Sequence, residues 1–521
     1  MHRTHPIPAR VLPVNPPLDS SGKTKPRVVV LGSGWGAMTV LKSIDHSKYE
    51  VVCVSPNSSF NMTPLLAQAA VGSLDFKATM ESVRSCGSTQ LYHAWADGID
   101  TTAKHLLLTP AYPPAFRTAP PATLGPDDAP MRSFPNARGG HSTSFVRPPH
   151  RRAIESSEVE VDGESSRSRH HAQSEGETWR SAEEGRQYLL PYDKLVISVG
   201  AYNRTFKTPG VRENAWFLKD VQNARSIRWR ILEVFEMADH PTMSDEQRRQ
   251  LLSFIVVGGG PTGSEFAAEL HDLVKSDLTR IFPKVAPLAQ ITLIDASSGI
   301  LSSFDASLST YARQKFKRDG IKILLERQVK RVDRGRLVVE PDGEIPFGLL
   351  VWSTGVCSTP LVKSITCIKK DERNSFLYTN EHLRALAPQG EVEATSSSEA
   401  TPSAPRVLPD VYAIGDCAQI EGVPLPATAQ VAAQKGKYVA SVLNGKTSPE
   451  TKFTFKNMGQ MAALGGGKAI VDSPQAKIHG RWAWIIWRSA YTFMSLSNRN
   501  RILVPFFWAV NRIFGRDLNR F

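Results

Sequence analysis

The chain has 521 residues, 41% apolar and 22% charged, a globular balance spread over more length than one ordinary domain uses. Its five cysteines (Cys53, Cys86, Cys357, Cys367, Cys417) include no close pair, which argues against a disulfide framework or a Cys-x-x-Cys. Its thirteen histidines form no zinc-spaced cluster. The net charge of +13 gathers at the two ends: eight Lys/Arg stand against Asp517 from Lys477 onward, and Arg3, Arg10, Lys23 and Lys25 against Asp19 near the start. Such ends attract polyanions of any kind.

Residues 1–25 are basic and poor in acids, compatible with an organellar transit segment. Residues 27–31 (RVVVL) then predict a buried parallel strand. Gly32-Ser33-Gly34-Trp35-Gly36-Ala37 follows at once and fits Gly-x-Gly-x-x-Gly/Ala. Gly32 permits a tight turn, Gly34 lets the backbone approach a pyrophosphate, and Ala37 lets a helix pack on the strand. The acid usual at the end of the second strand is replaced by Ser55, whose hydroxyl can still bond a ribose.

About 113–187 the chain turns polar and loses apolar periodicity, as does a shorter stretch at about 389–406; both are expected to be disordered surface insertions. Between them a second strand-then-glycine unit appears. FIVV (254–257) leads into Gly258-Gly259-Gly260-Pro261-Thr262-Gly263, and a helix with an apolar stripe follows. The next strand ends in Asp295, a carboxylate able to accept both ribose hydroxyls of NADH and repel the 2′-phosphate of NADPH. The long spacing from Gly258 to Asp295 implies an extended helix or loop. In DVYAIGDCA (410–418), Gly415-Asp416 puts a carboxylate at a strand end, where it suits either a helix N-cap or the ribitol of a flavin.

The C-terminus mixes bulky apolar residues with arginines: WAWIIWRSAYTFM (482–494) and RILVPFFWAVNRIF (501–514), with four of the ten tryptophans. That pattern suits helices lying in a bilayer interface, or else a cap packed on the protein. No apolar run reaches the roughly 18 residues of a spanning helix.

These segments resemble the type II (alternative, rotenone-insensitive) NADH:quinone oxidoreductases, which are two-dinucleotide-binding-domain flavoproteins. The carriers are GSGWGA at Gly32, NMTPLLAQAAVGSL at Asn61, GGGPTGSEFAAEL at Gly258, VWSTG at Val351, YAIGDCA at Tyr412, PATAQVAAQKGKYVA at Pro426, WRSAY at Trp487 and FGRDLNRF at Phe514. The resemblance implies an α/β protein with two Rossmann-type domains, for FAD and NADH, and a C-terminal amphipathic helical membrane-anchoring region. The expected limits are 1–25 for the extension, 26–220 and 386–460 for the FAD domain, 221–385 for the NADH domain and 461–521 for the membrane region.

By the same resemblance FAD lies on Gly32, Ser33, Gly34, Trp35, Gly36, Ala37, Ser55, Thr63, Gly200, Gly415 and Asp416, with Ala429 and Gln430 near its ring. NADH lies on Gly258, Gly260, Gly263, Asp295 and Gly355. Glu265 sits between the nicotinamide and quinone regions, Gln430 and Gln434 line the quinone pocket, and Tyr491 stands at its mouth. From the residues alone, Gln430 and Gln434 are a polar helix face at i, i+4 spacing. The expected partners are ubiquinone and a mitochondrial inner membrane bound peripherally, with no nucleic acid, no metal and no proton pumping; a homodimer is left open. Rival readings are an apoptosis-inducing-factor-like or ferroptosis-suppressor-like quinone reductase, and a non-catalytic membrane- or partner-binding module.

Overall fold

The computed structural model describes residues 24–111, 187–388 and 406–518, together with Gly22 and a short strand at Arg10–Val11. The two polar insertions lie outside the described residues except for their last positions, and so does most of the N-terminal extension. Strand β1 (Arg27–Leu31) is wholly buried, as its β-branched run requires, and leads into helix α1 (Trp35–Ser43). Strands β2 (Glu50–Ser55), β3 (Gln90–Asp100) and β4 (Lys194–Ile197) join β1 in parallel, in the order β3-β2-β1-β4. A buried ion pair, Arg27 Nε to Glu50 Oε2 at 2.9 Å, fixes the register where β1 and β2 begin.

The chain then crosses to a second sheet. Its strands are Trp216–Phe217, β5 (Ser253–Val257), β6 (Gln290–Ile294), β7 (Lys322–Leu324) and β8 (Leu349–Trp352), all parallel. Helix α2 (Pro261–Leu273) follows β5 and runs on through a π-helical turn at Val274–Leu278. This continuation fills the long interval between Gly258 and Asp295. On its apolar stripe Phe266, Leu270, Leu273 and Leu278 are buried, while Ile281 is exposed.

Leu377–Thr379 and Arg384–Leu386 return to the first sheet, where β9 (Val407–Ala413) pairs in parallel with β4. The two crossings thus precede Trp216 and Leu377, ahead of the expected limits at 220 and 385. Strands of two or three residues carry no alternation that a sequence could display. Helix α3 (Ala429–Leu443) packs on α1 at a glycine crossing, where a Cβ on Gly436 would meet Gly36 O at 2.5 Å.

A three-stranded antiparallel sheet (Gln460–Ala463, Ala469–Asp472, Lys477–Gly480) comes next, inside the segment expected to be membrane-associated. Helices α4 (Arg481–Met494) and α5 (Asn498–Phe514) end the fold. Ala483, Trp487, Val504 and Trp508 bury one face of this hairpin. At its turn, Ser497 N donates to Glu81 Oε1 at 2.7 Å and Asn500 Nδ2 to Met80 O at 2.9 Å. No helix among the described residues is long and apolar enough to cross a membrane.

Candidate active site

The two glycine motifs have matching geometry. Gly32 and Gly258 take φ of +104° and +110°. A Cβ on them would stand 2.3 Å from Ser198 O and 2.1 Å from Ser353 O, in the chain leaving the neighbouring strand, so only glycine fits. The later glycines are packing positions: a Cβ on Gly36 would meet Ser198 Oγ at 2.8 Å, and one on Gly263 would meet Gly258 O at 2.0 Å.

The middle glycines differ. Nothing lies within 4 Å of a Cβ built on Gly34 or Gly260, and each is the N-cap of its helix without a side chain closing the cap. The free N–H groups and positive dipole ends of α1 and α2 are therefore available to an anion. Both ends open into one continuous cleft of about 2420 Å³. Two such seats in one cleft fit two dinucleotides.

On the first half, Ser33, Trp35, Ser55, Thr63, Gly200, Gly415, Asp416 and Ala429 line the cleft, while Ala37 is buried beneath it. Ser55 Oγ donates to Ser33 Oγ at 3.0 Å and accepts from Asn57 N at 3.1 Å, so it shapes the turn as well as facing it. Thr63 Oγ1 accepts from Trp35 Nε1 at 3.0 Å. Asp416 is not a helix N-cap; its carboxylate faces Lys219 Nζ at 3.8 Å.

On the second half, Gly355 and Asp295 line the cleft and Gly263 lies under the loop. The Asp295 carboxylate accepts from Gly259 N and from Ser297 N and Oγ, which ties the glycine loop to the end of β6.

Behind the cleft, α2 carries two buried carboxyls one turn apart. Glu265 Oε1 accepts from Ala463 N at 2.9 Å and Trp487 Nε1 at 3.2 Å. Burial pushes its pKa up to about 8, against the pull of these two donors. Glu269 accepts from Gln68 Nε2 at 3.0 Å and Ser73 Oγ at 2.9 Å, with Arg516 3.9 Å away. Burial also raises Glu269, opposed first by the charge of Arg516. Tyr491 is half-buried and edge-on to Trp487 at 4.7 Å, its hydroxyl pushed above the usual range by burial and by Glu265. The hairpin therefore seats its buried tryptophans on α2 and its neighbours: Trp508 Nε1 donates to Gln68 Oε1 at 2.9 Å.

Gln430 and Gln434 do not line the cleft. Gln430 Nε2 donates to Gly459 O at 2.8 Å and its Oε1 accepts from Met458 N at 3.1 Å. Gln434 makes the same pair with Lys456, at 2.8 and 2.9 Å. The i, i+4 face of α3 thus pins an extended segment that leads into the C-terminal sheet.

Residues 26–436 match the family model for pyridine nucleotide-disulphide oxidoreductases, and residues 457–517 match that for the NDH2 C-terminal domain. A probable NADH dehydrogenase of Dictyostelium discoideum is 33% identical over 95% of this chain and 91% of its own length. The external NADH-ubiquinone oxidoreductase 2, mitochondrial, of Saccharomyces cerevisiae is 32% identical over 96% and 83%. The NADH complex of NDH2 from Plasmodium falciparum superposes with a TM-score of 0.74 at 21% identity, over 95% of this chain and all of that one.

The chain belongs to the type II NADH dehydrogenase family.

In this type II NADH dehydrogenase the residues packed behind the cleft were largely invisible in the sequence. Glu269 could have been found, since it repeats Glu265 at helical spacing. Trp487 and Lys219 could not, because their partners lie far away in sequence. The family-model name notwithstanding, the five cysteines are all free and supply no disulfide.

Proposed function

We propose that this protein catalyses NADH:quinone oxidoreduction, moves no protons across a membrane, and works peripherally on the mitochondrial inner membrane. The cofactors are FAD and NADH. FAD rests on the Gly32–Gly36 turn, Ser55, Thr63, Gly200, Gly415, Asp416 and Ala429; NADH rests on Gly258, Gly260, Asp295 and Gly355. The observation that carries this reading is the single cleft into which two glycine-capped helix ends open side by side. Bound FAD supplies the redox chemistry, accepting a hydride from NADH and passing two electrons to a quinone.

The residues of the chain provide place and protons. The N–H groups of α1 and α2 hold the two pyrophosphates apart. Asp295 favours the NADH ribose over a 2′-phosphate by charge. Glu265 keeps a proton at its carboxyl through neutral pH and holds it beside Trp487 and Tyr491 of the hairpin. Gln430 and Gln434 order the 456–459 segment that leads into the C-terminal sheet.

The membrane role rests on the outer face of the hairpin. Trp482, Phe493, Ile502, Ile513 and Phe514 are each at least 69% exposed there, interleaved with exposed Arg481, Arg499, Arg501 and Arg512. Side chains of this kind suit the headgroup region of a bilayer, in which a lipid-soluble ubiquinone is dissolved.

Half-reactions test the reading. Anaerobic NADH should bleach the visible flavin band, and a short-chain ubiquinone should restore it. Bleaching without restoration would leave an NADH-reducible flavoprotein with some other acceptor.

A further inference from the structure

Lys435 sits on the buried face of α3 and is only 1% exposed. Among the described residues its one hydrogen bond is long, Nζ to Ala418 O at 3.4 Å. Beside it lies a small, partly open cavity of about 20 Å³, lined by Lys435, Val431, Ala418 and the Gly415-Asp416 turn, with exposed Pro426 and Thr428 at its rim. That is room for one water. Gly415, Asp416, Ala427 and Ala432 line this cavity on one side and the cofactor cleft on the other, so the partition is a single layer of residues.

The charged and titratable groups acting on Lys435 are Cys417 and Asp416. Burial holds the Cys417 thiol up to about 11, so it stays neutral. Asp416 is already faced by Lys219 at 3.8 Å. Burial outweighs the favourable charge of Asp416 and lowers the pKa of the ammonium to about 8. An ion so placed is costly to keep for stability alone.

We propose that Lys435 is a positioning residue for the flavin's redox poise: its ammonium, with a water in the small cavity, sets a positive charge behind the Gly415-Asp416 wall and favours the reduced cofactor. Two-electron reduction with uptake of fewer than two protons leaves negative charge on the flavin, and a nearby cation stabilises that form over the oxidised one. This rests on the placement of FAD against Gly415 and Asp416 proposed above.

The test is the midpoint potential of the bound flavin, by dye equilibration, in wild type and Lys435→Met at pH 7 and pH 9.5. Methionine matches the stem and removes the buried charge, so the variant should fold, with its visible flavin band as the check. At pH 7 the variant's reduced-to-oxidised ratio at fixed potential should fall at least tenfold, about 30 mV for a two-electron couple. At pH 9.5, where wild-type Lys435 is neutral, the two potentials should coincide. Equal potentials at pH 7, or the same offset at both pH values, would overturn the proposal. Wild type alone gives an independent check, since its potential should change slope near pH 8; a straight line there also counts against it. Asp416→Ala separates the two layers of the argument. If that variant keeps FAD as tightly as wild type, the flavin placement falls and Lys435 with it; if it loses FAD while Lys435→Met changes nothing, only the Lys435 proposal falls.

Discussion

Glu265 shows how one side chain can be both a structural cost and a tool. The folded carboxyl keeps its proton up to about pH 8, while the same group in an unfolded chain loses it near 4.5. Between those values the native state binds the extra proton, so this group's contribution to stability falls as pH rises through the window. Glu265→Gln keeps an oxygen able to accept from Ala463 N and Trp487 Nε1 but cannot titrate. Relative to wild type it should therefore melt higher at pH 9 and about the same at pH 4, as calorimetry would register. The same variant should slow reoxidation of the reduced enzyme by quinone and erase its fall above pH 8; an unchanged profile would remove Glu265 from proton delivery. Gly258 is the second test at this scale. A methyl group there meets Ser353 O at 2.1 Å in a left-handed conformation, so Gly258→Ala should cost on the order of 1–3 kcal/mol in backbone strain alone. NADH binding, read by flavin reduction at stopped-flow concentrations, should weaken steeply while FAD is retained.

At the scale of elements, the C-terminal hairpin divides its work between two faces. Trp487 and Trp508 go inward to Glu265 and Gln68, while Trp482 and Phe514 remain 75% and 76% exposed. Burying one such exposed side chain in a bilayer interface is worth roughly 1.5–3 kcal/mol. Replacing Trp482, Phe493 and Phe514 together by Ser should thus abolish co-sedimentation with anionic vesicles and leave NADH reduction of the flavin intact. Retained sedimentation would put the membrane contact elsewhere. The amphipathic pattern of both helices could be read in the sequence because apolar and basic residues alternate at helical spacing. What each buried residue touches could not, since Glu265 and Trp487 are 222 positions apart. The same limit hid the small sheet at 460–480: its strands are four residues long and glycines 465–467 interrupt it. Gln430 and Gln434 were visible as one face of α3, but their clamp on residues 456–459 depends on an extended segment without a pattern of its own.

For the whole molecule, the glycine motifs were legible because their chemistry is local: a strand, a tight turn and a helix end adjoin in sequence. The boundaries between the halves were less so, because strands of two or three residues at Trp216 and Leu377 mark the crossings. What joins the halves into one enzyme is their shared cleft, with a nucleotide seat on each side and buried Glu265 behind it. The most direct test of that account is steady-state oxidation of NADH and NADPH by detergent-solubilised protein, with and without a short-chain ubiquinone, in wild type and Asp295→Asn. The account predicts quinone-dependent NADH oxidation well above the NADPH rate, with the preference narrowed at least tenfold by Asp295→Asn. NADH oxidation indifferent to quinone, or an NADPH rate equal to the NADH rate in wild type, would contradict it.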